Sequence, residues 1–69
     1  MKPTNEATGA LLVALHRARR DGITPARDIA VAERAAIQAL EAEGWTWAEI
    51  GPAVGVSPAH ARRVFIAFG

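Results

Sequence analysis

Two arginines, Arg62 and Arg63, stand side by side in this 69-residue chain, just after Ser57, Pro58, Ala59 and His60. A guanidinium is a rigid planar fork of donors that matches the paired acceptors of a guanine edge or a phosphate. Ser57 and the unpaired amides of a helix start suit a phosphate oxygen. Pro58 and Ala59 carry no donor, so they offer at most apolar contact to a thymine methyl. A second basic cluster, His16, Arg17, Arg19 and Arg20, occupies the segment HRARRDG. It fits either a solvated helix end stabilised by the helix dipole or a set of phosphate contacts.

Other chemistries lack their residues. Cysteine is absent, which excludes disulfides, thiolate metal sites and a cysteine nucleophile, and fits a reducing cytoplasm. His16 and His60 are far apart, with no acidic or thiolate residue at ligand spacing, so neither a metal nor a cofactor is expected. There is no P-loop and no evident carboxylate pair, so the chain does not read as an enzyme. The apolar run at residues 10–15 is far short of the roughly 18 residues of a membrane span, and the basic cluster follows it instead of preceding it. Neither secretion nor a membrane location is expected.

Net charge is only +1, but its distribution is uneven. Residues 1–20 sum to +3, residues 21–49 to −4 and residues 50–69 to +2. A fold that brings the two basic ends onto one face would show a polyanion a basic surface and keep the acidic middle away from it.

The elements that position these groups read as helices. The composition is 51% hydrophobic and rich in alanine, which favours close helix packing. A chain of this length buries only about 60% of its unfolded surface and reads as a single domain, residues 1–69, of marginal stability. Residues 1–3 read as a short arm. Thr4 or Asn5 caps a helix over about residues 5–20, with Ala7, Leu11, Ala14, Leu15 and Ala18 as its apolar stripe, widened by Leu12 and Val13. Thr24 as cap and Pro25 at the first helical position start a second helix over about 25–43, with Ile29, Ala32, Ala36, Ile37 and Leu40 inward. Asp28, Glu33, Arg34, Glu41 and Glu43 mark its wet side. Thr46 and Glu49 make a T-x-x-E capping box for a third helix over about 46–53. Of the two tryptophans, one reads as core, with Trp45 placed to staple that helix start. Gly55 supplies the bend, and Ser57-Pro58 starts a fourth helix over about 58–68. Pro52 either shortens and kinks the third helix or marks a less regular segment. The fold class is all-α, a compact bundle of about four helices.

Residues 46–65, TWAEIGPAVGVSPAHARRVF, place apolar residues at Ile50, Val54, Val56, Ala61 and Val64 around Gly55, with Gly51 where two helices would cross closely. This pattern resembles the helix-turn-helix of bacterial and phage DNA-binding proteins. The resemblance implies a positioning helix that begins at Thr46 and lies across the DNA backbone, and a recognition helix from Pro58 that enters the major groove. It also implies that Ser57, Pro58, Ala59, His60, Arg62 and Arg63 face DNA, with Thr46 as a further contact, and the charge distribution adds Arg17, Arg19 and Arg20 as expected phosphate contacts. Ala61, Val64, Phe65 and Phe68 would turn inward. Arg62 is the first choice for a guanine edge, and Arg63 for base or phosphate.

The expected function is sequence-specific binding of double-stranded DNA by a small transcriptional repressor or regulator. Two arginines discriminate poorly alone, which argues for a homodimer on a symmetric site, with Leu12, Val13, Ile66 and Phe68 as candidate interface residues. A protein-interaction module, or the DNA-binding subunit of a recombination or packaging complex, fits the same residues.

Overall fold

The amides left unpaired by a helix's first turn have to find acceptors, and three of the four helices formed by the described residues find them in a preceding side chain. The computed structural model describes residues 3–68 and forms α1 (Glu6–Asp21), α2 (Ala26–Ala42), α3 (Trp47–Val54) and α4 (Pro58–Phe68), with no strand among the described residues. The expected arm lies, for Met1 and Lys2, outside the described residues, as does the side chain of Phe68. Asn5 caps α1, its Oδ1 accepting from the Thr8 amide at 2.8 Å. Ser57 Oγ accepts from the His60 amide at 3.1 Å and starts α4.

At α3 the capping box is complete. Thr46 Oγ1 accepts from the Glu49 amide at 3.3 Å, and Glu49 Oε1 accepts from the Thr46 amide at 2.9 Å. Thr46→Ala removes the first bond and is expected to cost about 1 kcal/mol. In a chain of this size that lowers the melting temperature by about 4–8 °C in a circular-dichroism melt. A variant that melts with the wild type would show that α3 is held by packing alone.

The start of α2 differs from expectation. Pro25, not Thr24, is the cap residue, with φ −59° and ψ 147°, and no side chain caps the helix. Asp21 has drawn the preceding residues into its own turn. Its Oδ1 accepts from the amides of Ile23 and Thr24, each at 2.9 Å, and its Oδ2 accepts from the Thr24 hydroxyl. These bonds, first that from the Thr24 side chain, hold the exposed Asp21 carboxyl below its ordinary pKa.

Pro52 does not end α3, which is a short helix of eight residues that runs through it to Val54. Its missing amide would have bonded the carbonyl of Ala48, in the exposed first turn, where water can serve instead.

All four helices contribute to one core. Leu15 comes from α1; Ala36, Ile37 and Leu40 from α2; Ile50 and Val54 from α3; and Ala61 from α4. Trp45 closes it, 7% exposed, immediately before the Thr46 cap and in one cluster with Ile50, as a hydrophobic staple requires. Trp47 stacks obliquely on Phe65 of α4, with ring centroids 5.4 Å apart. The buried side of α1 is narrower than the periodicity suggests. Leu11, Leu12 and Leu15 meet the core, whereas Ala7 and Ala14 are exposed and Thr8 is buried in their place. The N-terminus of α1 is tied to the end of α2, where Oε1 of the C-cap residue Glu43 accepts from the Asn5 amide at 3.1 Å.

Candidate nucleic-acid interface

The turn between α3 and α4 is tight because of two glycines. Gly55 has φ +79°, a conformation that side-chain-bearing residues rarely adopt. Gly51 lets the chain double back over α3: a Cβ there would lie 2.8 Å from both the Pro58 nitrogen and the Val56 carbonyl oxygen. The Val56 amide donates to the Gly51 carbonyl at 2.9 Å, which pins the turn to the helix it leaves. The start of α4 is therefore fixed against the end of α3.

A polar cluster then fixes this pair against α1 and α2. Glu33 of α2 was expected on the wet side, but its side chain is only 14% exposed and bridges two helices. Its Oε2 accepts from Arg19 Nη2 at 2.7 Å, and its Oε1 lies 3.0 Å from His60 Nε2. Arg19 Nη1 also donates to the carbonyl of Val54, the last residue of α3. One helical turn earlier, His16 Nε2 lies 3.2 Å from the carbonyl oxygen of Ala53. Cationic and donor groups of α1 thus satisfy the carbonyls at the C-terminus of α3, where the helix dipole is negative.

This arrangement divides the expected DNA-facing residues. Arg19 and His60 are engaged with Glu33, and Arg19 also with the Val54 carbonyl, while their side chains keep partial access to solvent. Their place in the structure is to hold α4 and the turn in position. Arg17 and Arg20 remain exposed on the end of α1 that rests against the turn. Ser57, Pro58, Ala59, Arg62 and Arg63 are exposed along α4, and Thr46 is exposed at the start of α3, though its side chain is engaged in the cap. Ser57 Oγ is likewise occupied as an acceptor, which leaves its hydroxyl hydrogen to donate.

On the helical wheel of α4, Ala61 points to the core, with Val64 and Phe65 beside it. Ala59, Arg62, Arg63 and Ile66 point away from it, all exposed. No hydrogen bond or ion pair among the described residues engages Arg62 or Arg63. Both guanidinium groups are open to a ligand.

No protein-family model, curated protein or solved structure matches the chain. The site therefore rests on its own geometry. Among the described residues no group of acidic, histidine or cysteine side chains could hold a metal ion, and no helix is long and apolar enough to cross a membrane.

Sequence reasoning placed the bend, the caps of α1, α3 and α4 and the two exposed arginines, and misplaced the cap of α2. It missed Glu33. The available signal was its position midway between Ile29 and Ile37, four residues from each, inside the buried row of α2.

Proposed function

We propose that the chain is a small helix-turn-helix protein that binds duplex DNA by laying α4 in the major groove, acting in the cytoplasm as a transcriptional repressor or regulator. One observation carries this reading. Arg62 and Arg63 are exposed on α4 with no carboxylate partner among the described residues, while Arg19 and His60 nearby are tied to Glu33. Charge left open on the outward side of a helix braced by a tight turn suits a polyanion. Arg62 reads a guanine edge, and Arg63 a base or a phosphate. Arg17 and Arg20, at the end of α1 that braces the turn, supply phosphate contacts, with Ser57 donating its hydroxyl hydrogen.

Two arginines make a thin reading surface, so a homodimer on a symmetric site belongs to the proposal. Of the described candidates, Val13, 50% exposed on α1, is the one left to join two copies, because Leu12 leans on the core and Ile66, though 62% exposed, shares the outward side of α4 with Arg62 and Arg63.

The test is equilibrium binding to duplexes enriched from a random pool, repeated across salt concentrations. Affinity is expected to fall steeply as salt rises, since cations return to the phosphates. Arg62→Ala is expected to weaken the enriched site about 10-fold or more and to relax preference for one guanine. Absence of binding at low salt would sink the proposal. A protein-interaction module is the second reading, favoured by the exposure of Val13, Val31 and Ile23. It requires Val13→Glu, and not Arg62→Ala, to abolish association. The DNA-binding subunit of a recombination or packaging complex would share the DNA results and differ only in a further protein partner.

A further inference from the structure

Ile66 is 62% exposed, a large apolar side chain that the core does not use. It lies one turn beyond Arg62 and Arg63, three and four residues on, so it falls between them on the outward side of α4. Ala59 lies on the same line one turn before them. The outward side of α4 is therefore an apolar ridge, Ala59 to Ile66, with a guanidinium on each flank. The ridge spans about 10 Å along the helix, or about three base steps of duplex.

Charge decides what can cover such a surface. A second copy meeting this side across a two-fold axis would bring Arg62 and Arg63 against their own images, with no carboxylate among the outward residues of α4 to separate them. An apolar peptide would leave both guanidinium groups without acceptors, and a lipid surface, which offers phosphates, needs a broader apolar face than the single large exposed side chain of Ile66. The major groove supplies what the ridge lacks, because guanine acceptors and thymine C5-methyl groups lie side by side on its floor.

We propose that Ile66, with Ala59, is a specificity-determining contact that reads thymine methyl groups beside the guanines read by arginine. This rests on the DNA-binding reading above and makes it more specific. The bound site contains thymine within about three base steps of the guanine contacted by Arg62. Ile66 discriminates by burying a methyl, a contact that cytosine and uracil lack.

Uracil substitution tests this by deleting only the methyl. Duplexes are enriched with the intact protein from a random pool, and each thymine of the enriched site is replaced in turn by uracil. At one or two positions uracil is expected to weaken wild-type binding about fourfold, the equivalent of one buried methyl. Ile66→Ala is expected to weaken binding to the thymine site and to bind the matching thymine and uracil sites equally. As an exposed substitution it should leave the melting temperature near that of the wild type. Indifference to uracil at every position, or the same uracil penalty in Ile66→Ala, overturns the proposal while DNA binding stands. A change of oligomeric state in Ile66→Ala, read by sedimentation, overturns it in favour of an interface between copies. Failure to bind any duplex at low salt overturns the DNA-binding reading and this inference with it.

Discussion

Replacing Gly51 with alanine is expected to destabilise the fold by about 2 kcal/mol, within the usual range for overpacking. Two effects oppose each other. Gly to Ala inside a helix ordinarily stabilises by about 0.5–1 kcal/mol, because alanine loses less backbone entropy. Here the added Cβ meets the Pro58 nitrogen and the Val56 carbonyl oxygen at 2.8 Å and the Ser57 carbonyl carbon at 3.0 Å. All three are backbone atoms, so no rotamer change can relieve the contact. The turn has to lift off α3, and the Val56 to Gly51 hydrogen bond lengthens with it. A chain of this length has roughly 3–10 kcal/mol of total stability, so the loss is a large share. Gly9→Ala is the matched control. Its Cβ would meet only Thr4 Oγ1, at 3.4 Å, and the same substitution there is expected to stabilise. Urea titrations followed by circular dichroism measure both. Equal effects at the two positions would mean that α3 and α4 do not cross as closely as the geometry has them. Because the turn also aims α4, Gly51→Ala should weaken the proposed DNA binding beyond its effect on the folded fraction.

Much of this was legible because it is local. The Thr46 and Glu49 pair, Asn5, Gly55 and Ser57-Pro58 act within four residues of themselves, so sequence spacing alone is enough to read them. Gly51 was legible too, since a residue without bulk four positions before a turn glycine has few other uses. What spacing cannot supply is the identity of the neighbour. Asp21 took up Thr24, and α2 then started at Ala26, with Pro25 as its cap residue and no side-chain cap. Arg19 read as one of four like groups in HRARRDG. Only its partners on α2 and α3 separate it from Arg17 and Arg20. The polar cluster nevertheless left a trace. Leu11, Leu15 and Arg19 fall at intervals of four, as do Ile29, Glu33 and Ile37, and His60 with Val64. Each polar member continues a buried row of its own helix, and opposite charges in converging rows indicate a buried pair.

That pair carries the second large effect. Glu33→Ala is expected to destabilise by about 2 kcal/mol, less than the 3–5 kcal/mol typical when one member of a fully buried pair is removed. The discount follows from exposure. Arg19 is 28% and His60 44% exposed, so water can partly replace the lost carboxylate. The loss should nonetheless exceed that of a surface ion pair, because Arg19 is held against the Val54 carbonyl and cannot swing fully into solvent without abandoning the end of α3. Glu33→Gln separates charge from shape, since it keeps one acceptor and removes the charge. A stability between those of alanine and wild type would assign the remainder to electrostatics. The double variant Arg19→Met with Glu33→Leu removes both charges and fills much of the space. It should recover part of the loss, as apolar replacement of buried pairs often does. It cannot recover all of it, because the Val54 carbonyl would still lack its donor. Chemical unfolding of the four proteins under one set of conditions yields each term by difference. If Glu33→Ala unfolds with the wild type, the cluster adds nothing to stability, and the bracing of α4 against α2 has to come from the apolar core that holds Ile37 and Ala61.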